Sequence, residues 1–411
     1  MERFDQGALF DRMAVAGRLD LHRMATLAEE IASFHESCLI RSDFAGDAAI
    51  ARVIDGNAAG LRQFGGQALA RAECESLTTS AHASLRTRRW LLDRRRIEGY
   101  VRECHGDLHL GNIVLFEGRP TLFDAIEFND DIACVDVMFD LAFLLMDLWH
   151  RELPAHANAV LNTYLANTHD YAGLAALPLF LSCRAAIRAK TTATAASLQP
   201  EDERRRELGA IAREYLRLAT RLLRRPEPAI VAIGGLSGSG KSTLARALAP
   251  SIGPVPGAVI VRSDEIRKRL WGASPLTKLG PAGYTPEMSA RVYEALIADA
   301  VAVVNGGHTA IVDAVFARAD DRLVIDREAR AAGAAFAAVW LDVPEDVMIE
   351  RVERRGPDVS DADGDVVRMQ CAQWADDVRW VHVDAVGKLS TVEARVSARL
   401  QSQTVALDAA A

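Results

Sequence analysis

The stretch Gly235-Leu236-Ser237-Gly238-Ser239-Gly240-Lys241-Ser242 decides the fold of the second half of this chain. Its glycines, lysine and serine fit the pattern G-x-x-x-x-G-K-[ST], which predicts a loop whose backbone N–H groups point inward at phosphate oxygens. An apolar run over residues 229–233 precedes the loop as a buried strand would, and a helix-forming run over residues 243–248 follows it. The sequence therefore predicts a strand, a phosphate-binding loop and a helix whose N-terminus adds partial positive charge.

A nucleotide is the ligand that this loop predicts. The Lys241 ammonium can reach the β- and γ-phosphates of ATP, and the Ser242 hydroxyl can ligate the Mg²⁺ that accompanies them. A glycine-rich turn without a ligand is the alternative, but the flanking strand and helix argue against it. We expect the following residues to bind the nucleotide: Gly235, Leu236, Ser237, Gly238, Ser239, Gly240, Lys241, Ser242 and Thr243.

Apolar runs alternate with helix-forming segments through the rest of the second half. The runs cover residues 257–261, 309–313, 335–341 and 379–384. This alternation predicts a doubly wound parallel sheet, in which ligands bind at the edge formed by the carboxyl ends of the strands. We read the second and third strands as ending in Asp264 and Asp313, which places both carboxylates beside the phosphate-binding loop. Asp313 is the candidate that holds Mg²⁺ through water.

An arginine-rich helix near residues 351–355 runs into a loop rich in glycine, proline and aspartate. Such a segment suits a mobile lid. The guanidinium groups of Arg351 and Arg354 can then close over a transferring phosphate and stabilise its charge. The alternative for these arginines is a solvated helix face.

This half resembles the P-loop small-molecule kinases grouped with gluconate kinase, chloramphenicol phosphotransferase, polynucleotide 5′-kinase and zeta-type toxins. The resemblance covers residues 229–400. It rests on the phosphate-binding loop, Ser263-Asp264-Glu265-Ile266-Arg267, Asp313, Arg351, Arg354, Arg355 and Ser360-Asp361-Ala362. It implies that Asp264 is the general base for an acceptor hydroxyl, with a helix N-cap as the alternative role. Acceptor contacts vary among these kinases, so the resemblance does not name the acceptor.

The first half carries a second catalytic pattern, H-x-D-x-x-x-x-N, at His105, Asp107 and Asn112. An apolar strand predicted over residues 120–123 then delivers Asp124. Asp107 suits proton acceptance from a substrate hydroxyl, whereas Asn112 and Asp124 offer oxygens to a metal ion. Another histidine, His35, ends a helical pattern, where a core or capping role is the commoner one.

These residues resemble the C-terminal lobe of aminoglycoside phosphotransferases and their small-molecule kinase relatives. The resemblance covers residues 1–220 and includes Asp136 and Asp140 of the following helix. Kinases of this type also have a strand-rich N-terminal lobe that covers ATP and supplies a lysine to its phosphates. Here the residues before His105 read as helices, without a glycine-rich hairpin. Either the lobe was lost or the sequence begins at an internal methionine, and on both views we expect no independent kinase activity from residues 1–224.

Composition narrows the class of protein. The 411 residues are enough for two or three domains. No run of about 18 uncharged apolar residues predicts a membrane helix, and the charged first residues resemble no signal peptide. The six cysteines form no C-x-x-C pair, which favours reduced thiols in a cytoplasmic protein. A net charge of −8 argues against a nucleic-acid partner.

We therefore predict a multidomain chain. It has a mainly α, kinase-like C-lobe over residues 1–224, a linker over residues 225–228, and an α/β P-loop domain with a doubly wound parallel sheet over residues 229–405. The predicted function is transfer of the γ-phosphate of ATP, with Mg²⁺, to a hydroxyl of a small molecule by the second half. Two alternatives stay open. One is a nucleotide-dependent switch with the first half as a binding module, and the other is a polynucleotide or nucleotide-sugar kinase.

The predicted roles divide the candidate residues into two sets. The catalytic set is Asp264, Lys241, Arg351, Arg354 and Asp107. The metal ligands are Ser242, Asp313, Asn112 and Asp124.

Overall fold

A computed structural model describes residues 5–44, 46–64, 68–224, 226–356, 358–373 and 378–402. The chain forms two compact units that divide between residues 225 and 226, at the start of the predicted linker. Among the described helices, none combines the length and the apolar character needed to cross a bilayer.

The first unit is mainly helical, as the sequence predicts. Its helices are α1 (Phe10–Val15), α2 (Leu21–Ser37), α3 (Gly46–Phe64), α4 (Arg71–Arg86), α5 (Arg89–Ile97), α6 (Asp130–Ala133), α7 (Val137–His150), α8 (Pro154–Thr168), α9 (Leu177–Ser197) and α10 (Asp202–Leu222). Short 3₁₀ helices cover Gln6–Ala8, Leu110–Asn112 and Tyr171–Ala175. Two antiparallel pairs complete the unit: β1 (Val101–Glu103) with β4 (Cys134–Asp136), and β2 (Ile113–Phe116) with β3 (Arg119–Leu122).

Helix α7 is the centre of this unit. It is apolar on almost every side and buried over residues 137–148, which is the pattern of a helix surrounded by others. Helices α8 and α9 pack against it. Helix α2 begins at Leu21, because the Asp20 side chain accepts a hydrogen bond from the Arg23 backbone N–H and caps the first turn.

A buried arginine ties three segments of this unit together. Arg95 of α5 is fully buried, and its guanidinium donates two hydrogen bonds to Asp136 (2.7 and 2.8 Å) and two to Asp170 (2.6 and 2.7 Å). Asp136 also caps α7 by accepting a hydrogen bond from the Met138 backbone N–H at 2.9 Å. The position of α7 therefore depends on a charge network that is closed away from water.

The second unit is a parallel sheet with helices on both faces, which confirms the predicted fold. Its strands are β5 (Ala229–Gly234), β6 (Val259–Arg262), β7 (Ala310–Asp313), β8 (Ala335–Asp342) and β9 (Val381–Asp384). Its helices are α11 (Lys241–Leu248), α12 (Ser263–Trp271), α13 (Pro286–Asn305), α14 (Ala319–Ala331), α15 (Glu345–Arg354), α16 (Gly364–Gln373) and α17 (Leu389–Ser402).

The strand order within the described sheet is β6-β7-β5-β8-β9. Because β6 and β7 lie on one side of β5 and β8 and β9 on the other, the strand order reverses at β5. The crevice at such a reversal is where open α/β sheets bind ligands. An apolar core between the sheet and helices α11 and α17 fixes the loop that follows β5.

Several strand boundaries differ from the prediction by one or two residues, and two of the differences affect candidate site residues. Strand β6 ends at Arg262, so Asp264 does not end a strand but lies in the first turn of α12. The reason is that the backbone becomes helical at Ser263, directly after the last β6–β7 pair. Strand β9 begins at Val381 rather than at residue 379. Strand β3 ends at Leu122, and Asp124 adopts a left-handed conformation with φ of 61°.

We expect Arg95→Ala to lower the free energy of unfolding of the first unit by about 3–5 kcal/mol, because it leaves two buried carboxylates without their cation. Urea unfolding of the full chain followed by circular dichroism measures the change. The control is Arg94→Ala, which removes an exposed ion pair with Glu98 and should cost less than about 1 kcal/mol. Equal losses in the two variants would contradict the role given to Arg95.

Candidate functional site

The loop after β5 has the backbone conformation that its glycines allow. Gly238 has φ of 83°, and a Cβ built on it would lie 2.6 Å from the backbone oxygen of Met348. Gly240 has φ of 96° and is the N-cap of α11. A side chain at Gly238 would both strain the backbone and collide with α15, so glycine is required there. The glycines at these two positions therefore allow the turn that leads from β5 into α11.

Lys241 lies inside this loop. It is buried, and its ammonium donates hydrogen bonds to the backbone oxygens of Gly235 (2.8 Å) and Leu236 (3.0 Å). Burial lowers the pKa of the Lys241 ammonium, although the nearby Asp313 carboxylate opposes that shift. A buried cation held by backbone oxygens alone is suited to take an anion, and phosphate is the anion that the surrounding loop fits.

The two predicted metal ligands of this unit meet at the sheet edge. The Ser242 hydroxyl donates a hydrogen bond of 2.6 Å to Asp313 Oδ2, because Ser242 lies in the first turn of α11 and Asp313 ends β7. A hydroxyl oxygen and a carboxylate oxygen beside a phosphate loop fit Mg²⁺, which takes one or two protein oxygens and completes its shell with water and phosphate. The residues present therefore fit the ion that the motif implies.

Arg262 is a residue of this site that the sequence reading missed. Its guanidinium donates hydrogen bonds to Ser242 Oγ (3.1 Å), Asp313 Oδ2 (3.3 Å) and Glu265 Oε1 (2.9 Å). It also lies 3.5 Å from Asp358 Oδ1. The Arg262 side chain is buried, and the carboxylates around it balance its positive charge. In the sequence, Arg262 is a single arginine at the end of a predicted strand. The neighbouring residues along the chain do not distinguish it from a surface arginine.

Two cavities adjoin at the carboxyl edge of the sheet. The first has a volume of about 590 Å³ and is bounded by the phosphate loop, α15 and the segment that includes Ala385 and Val392. The second has a volume of about 830 Å³ and lies between α12, α13 and α16. Both volumes are in the range of ligand sites. Residues Ser237, Ser263, Asp264, Val315 and Ser360 line both cavities.

Asp264 is the acidic group in the wall shared by the two cavities. In the described part of the chain its carboxylate makes no hydrogen bond or ion pair, and α12 has no side-chain cap. The alternative role as a helix N-cap is therefore wrong, since the N-cap position belongs to Arg262. A carboxylate without a protein partner between two cavities is free to accept a proton from a ligand.

The second cavity also contains a buried cation. Arg267 is buried, its guanidinium lies 4.7 Å from the ring centroid of Tyr284, and Nη1 donates a 2.8 Å hydrogen bond to the Gly283 backbone oxygen. Within the described residues the Nε group has no hydrogen-bond partner. Arg267 therefore places a buried positive charge in the wall of this cavity.

The two predicted lid arginines have different surroundings. Arg351 donates hydrogen bonds to the backbone oxygens of Ser239 (3.1 Å) and Ala385 (2.9 Å), so it braces the phosphate loop against the segment after β9. Arg354 is 78% exposed and pairs with Glu350 one turn earlier. Both border the first cavity. Their predicted contact with transferring phosphate stays a prediction.

The first unit brings some of its predicted catalytic residues together. Asn112 Nδ2 donates hydrogen bonds to Asp107 Oδ2 (3.0 Å) and to the Asp107 backbone oxygen (2.9 Å). A hydrogen bond from His109 holds the pKa of Asp107 below its ordinary value, although burial opposes this. The side chain of Asp124 is exposed and makes no hydrogen bond or ion pair with the other two among the described residues. The structure thus brings Asp107 and Asn112 into hydrogen-bond contact.

A buried carboxylate supports this catalytic loop from below. Asp140 accepts hydrogen bonds from the backbone N–H groups of His105 (3.2 Å) and Gly106 (2.9 Å), and His35 Nε2 lies 3.2 Å from it. Arg184 donates to the Gly106 backbone oxygen at 3.2 Å. His35 is a core residue, as predicted, and Arg184 is a supporting residue whose contact with the loop the sequence did not show.

In the comparison with known proteins, each of the two units matches a different family model. Residues 7–177 match the family model described as the phosphotransferase enzyme family, and residues 230–379 match the model described as an AAA domain. The chain joins a phosphotransferase-family domain to an AAA-type P-loop domain. Both matches support a phosphotransferase.

The sequence relatives are proteins without an assigned function. Proteins of Mycobacterium tuberculosis and Mycobacterium bovis are 26% identical to this chain over 396 residues, which is 94% of this chain and 77% of each relative. Among solved structures, a gluconokinase from Sinorhizobium meliloti is 24% identical, with 44% of this chain and 99% of that one covered and a TM-score of 0.30. The APS kinase of Mycobacterium tuberculosis in complex with AMPPNP and APS is 19% identical, with 43% and 99% covered and a TM-score of 0.32.

We expect Lys241→Ala to weaken Mg-ATP binding by about 10- to 100-fold, the worth of a charged hydrogen-bonding group, and to abolish nucleotide-dependent turnover. Isothermal titration of the full chain measures the affinity. Arg330→Ala is the control, because Arg330 is 73% exposed on α14 and its guanidinium pairs with Asp326 one turn earlier. Turnover near the wild-type value in the Lys241 variant would exclude this loop as the catalytic nucleotide site.

Proposed function

We propose that the second unit transfers the γ-phosphoryl group of ATP to a hydroxyl of a small molecule. The observation that carries the proposal is the position of Asp264, in the wall shared by the phosphate-loop cavity and the second cavity. A phosphoryl donor and its acceptor must meet in line, with a base at the acceptor oxygen. Two adjoining cavities with one unpartnered carboxylate between them suit that requirement.

The nucleotide side of the reaction is assigned to the first cavity. The N–H groups of the phosphate loop and the Lys241 ammonium would bind the β- and γ-phosphates, and the buried edge at Ser242 and Asp313 would hold Mg²⁺. The bound ion supplies positive charge to the phosphate oxygens. Phosphoryl transfer needs mainly positioning and charge stabilisation, and these groups provide both.

The acceptor side is assigned to the second cavity. Asp264 would accept the proton of the acceptor hydroxyl as that oxygen forms its bond to phosphorus, and the bond from phosphorus to the leaving ADP oxygen breaks. The Arg267 guanidinium and the ring of Tyr284, which both line this cavity, supply positive charge and an aromatic face to the rest of the molecule. A compact hydroxylated molecule with an anionic group beside Arg267 suits this cavity.

The first unit has the weaker case for catalysis. The Asp107 carboxylate already accepts a hydrogen bond from Asn112, and Asp140 fixes the backbone of the loop that carries it. The side chain of Asp124, a predicted metal ligand, is exposed. We therefore assign the chemistry to the second unit.

The assigned activity is tested by screening hydroxylated metabolites for ADP release with the full chain. A phosphorylated product detected by mass spectrometry would support the proposal. Tight Mg-ATP binding with no acceptor-dependent ADP release across sugars, sugar acids, amino alcohols and oligonucleotides would favour the nucleotide-dependent switch instead.

We expect Asp264→Asn to lower phosphoryl transfer by about 10²- to 10⁴-fold while Mg-ATP affinity stays within about threefold, because the general base is lost and the phosphate loop is intact. Turnover and isothermal titration are measured on the same preparation. Asp320→Asn, a change of a 79% exposed carboxylate on α14, is the matched control. If ATP binding were lost together with turnover, Asp264 would be a metal or structural residue.

We expect Asp107→Ala in the full chain to leave ATP turnover within about twofold of wild type, because the first unit does not perform the transfer. The measurement is ADP release under the conditions used for Asp264→Asn. A fall of about tenfold or more would assign catalysis to the first unit.

A further inference from the structure

One carboxylate of the second unit accepts hydrogen bonds from three donors, one on α12 and two in the segment that follows this helix. Asp361 Oδ1 accepts a hydrogen bond of 2.5 Å from Lys268 Nζ, and Oδ2 accepts from the Leu279 backbone N–H (2.8 Å) and from the Tyr284 hydroxyl (2.7 Å). The Asp361 side chain is only 10% exposed. No part of the mechanism proposed above uses this residue.

Asp361 connects α12 to one side of the second cavity. Lys268 lies four residues after Asp264 on α12, so both residues occupy one helix face. Lys268 also donates to the Thr277 backbone oxygen. Leu279 and Tyr284 line the cavity directly. We call residues 277–284 the acceptor wall, and Asp361 fastens this wall to the helix that carries Asp264.

The segment that carries Asp361 also reaches the nucleotide side. Asp358, three residues earlier, lies 3.5 Å from the Arg262 guanidinium and accepts a 3.0 Å hydrogen bond from the Ser360 backbone N–H. Arg355 donates to the backbone oxygens of Ser360 and Ala362, both at 3.0 Å. We call residues 358–363 the bridging loop. It contacts Arg262 beside the Ser242–Asp313 pair at one end and the acceptor wall at the other.

We propose that Asp361 is a positioning residue that closes the acceptor wall, and that the bridging loop couples this closure to nucleotide binding. The inference rests on the proposed function. Phosphate and Mg²⁺ entering beside Ser242 and Asp313 change the charges that Arg262 faces, and Arg262 is the contact through which Asp358 is held. A shift of the bridging loop then moves Leu279 and Tyr284, because both donate hydrogen bonds to Asp361 of this loop.

The charge of Asp361 is what makes the contact strong. Burial raises the pKa of Asp361, but the hydrogen bonds from Lys268 and Tyr284 outweigh it and hold the pKa below its ordinary value, so the group is ionised at neutral pH. Hydrogen bonds to a charged group are about twice as strong as neutral ones. Asparagine has the same shape as aspartate but no charge. Its amide N–H₂ group would face the donors that now bind the Asp361 carboxylate, and two donors cannot form a hydrogen bond with each other.

The test is hydrogen–deuterium exchange of the full chain, wild type and Asp361→Asn, with and without Mg²⁺ and a non-hydrolysable ATP analogue. In the wild type we expect the analogue to slow exchange in residues 277–284 as well as in the phosphate loop. In Asp361→Asn we expect residues 277–284 to exchange about tenfold faster and to lose their response to the analogue. Protection of residues 235–242 by the analogue should be unchanged.

Two further variants separate local from general effects. Asp365→Asn changes a 90% exposed carboxylate on α16 and should leave exchange in the acceptor wall as in the wild type. Tyr284→Phe removes one donor and keeps the ring, so it should accelerate exchange there by about threefold, and it tests the contact even if Asp361→Asn does not fold.

Exchange in residues 277–284 that is the same in Asp361→Asn, Tyr284→Phe and the wild type would overturn the role of Asp361. An acceptor wall that responds to the analogue equally in wild type and Asp361→Asn would overturn the coupling. Absence of analogue protection at residues 235–242 in the wild type would contradict the proposed function. In that case, exchange in residues 277–284 measured without nucleotide in the wild type and in Asp361→Asn would still decide whether Asp361 closes the acceptor wall.

Discussion

The parallel register of three strands is the constraint on which the candidate site depends. Ile233 of β5 lies opposite Asp313 of β7, and Asp313 lies opposite Arg262 of β6. One row across the sheet thus brings the start of the phosphate loop, a carboxylate and a guanidinium to a single edge. A slip of one residue would turn Asp313 to the other face of the sheet and separate it from Ser242. The apolar core beneath the sheet fixes this register and, with it, the geometry of the site.

Buried charges at this edge are balanced as a set. The Lys241 ammonium is held by backbone oxygens, whereas Arg262 faces Asp313, Glu265 and Asp358. A buried charge is costly unless it is paired, so each of these groups restricts the positions of the others. A phosphate bound in the loop would place negative charge beside the Lys241 ammonium, whose hydrogen bonds go to backbone oxygens. Ligand binding therefore completes an electrostatic arrangement that the fold has already prepared.

The two units treat catalytic carboxylates differently. In the first unit Asp107 is engaged by Asn112 and His109, and the loop that carries it is fixed from below by Asp140 and Arg184. In the second unit Asp264 has no partner in the described chain and faces two cavities. A rigid, internally satisfied loop is compatible with a retained scaffold, while a free carboxylate beside a phosphate loop is compatible with chemistry. This contrast is the physical basis for the proposal that the second unit performs the reaction.

The sequence by itself determined the features that depend on residues close together along the chain. The phosphate loop, Lys241 and Ser242 lie within eight consecutive residues, and the alternation of apolar and helical segments predicted the parallel sheet and the place of Asp313. The tertiary structure alone decided how distant segments meet. Arg262 gained its role through pairing with β7, Arg351 became a brace through contacts with two loops, and Asp361 acquired donors about 80 to 90 residues earlier in the chain. A motif fixes local backbone geometry, but hydrogen-bond partners of a buried charge are set by packing, which no local pattern contains.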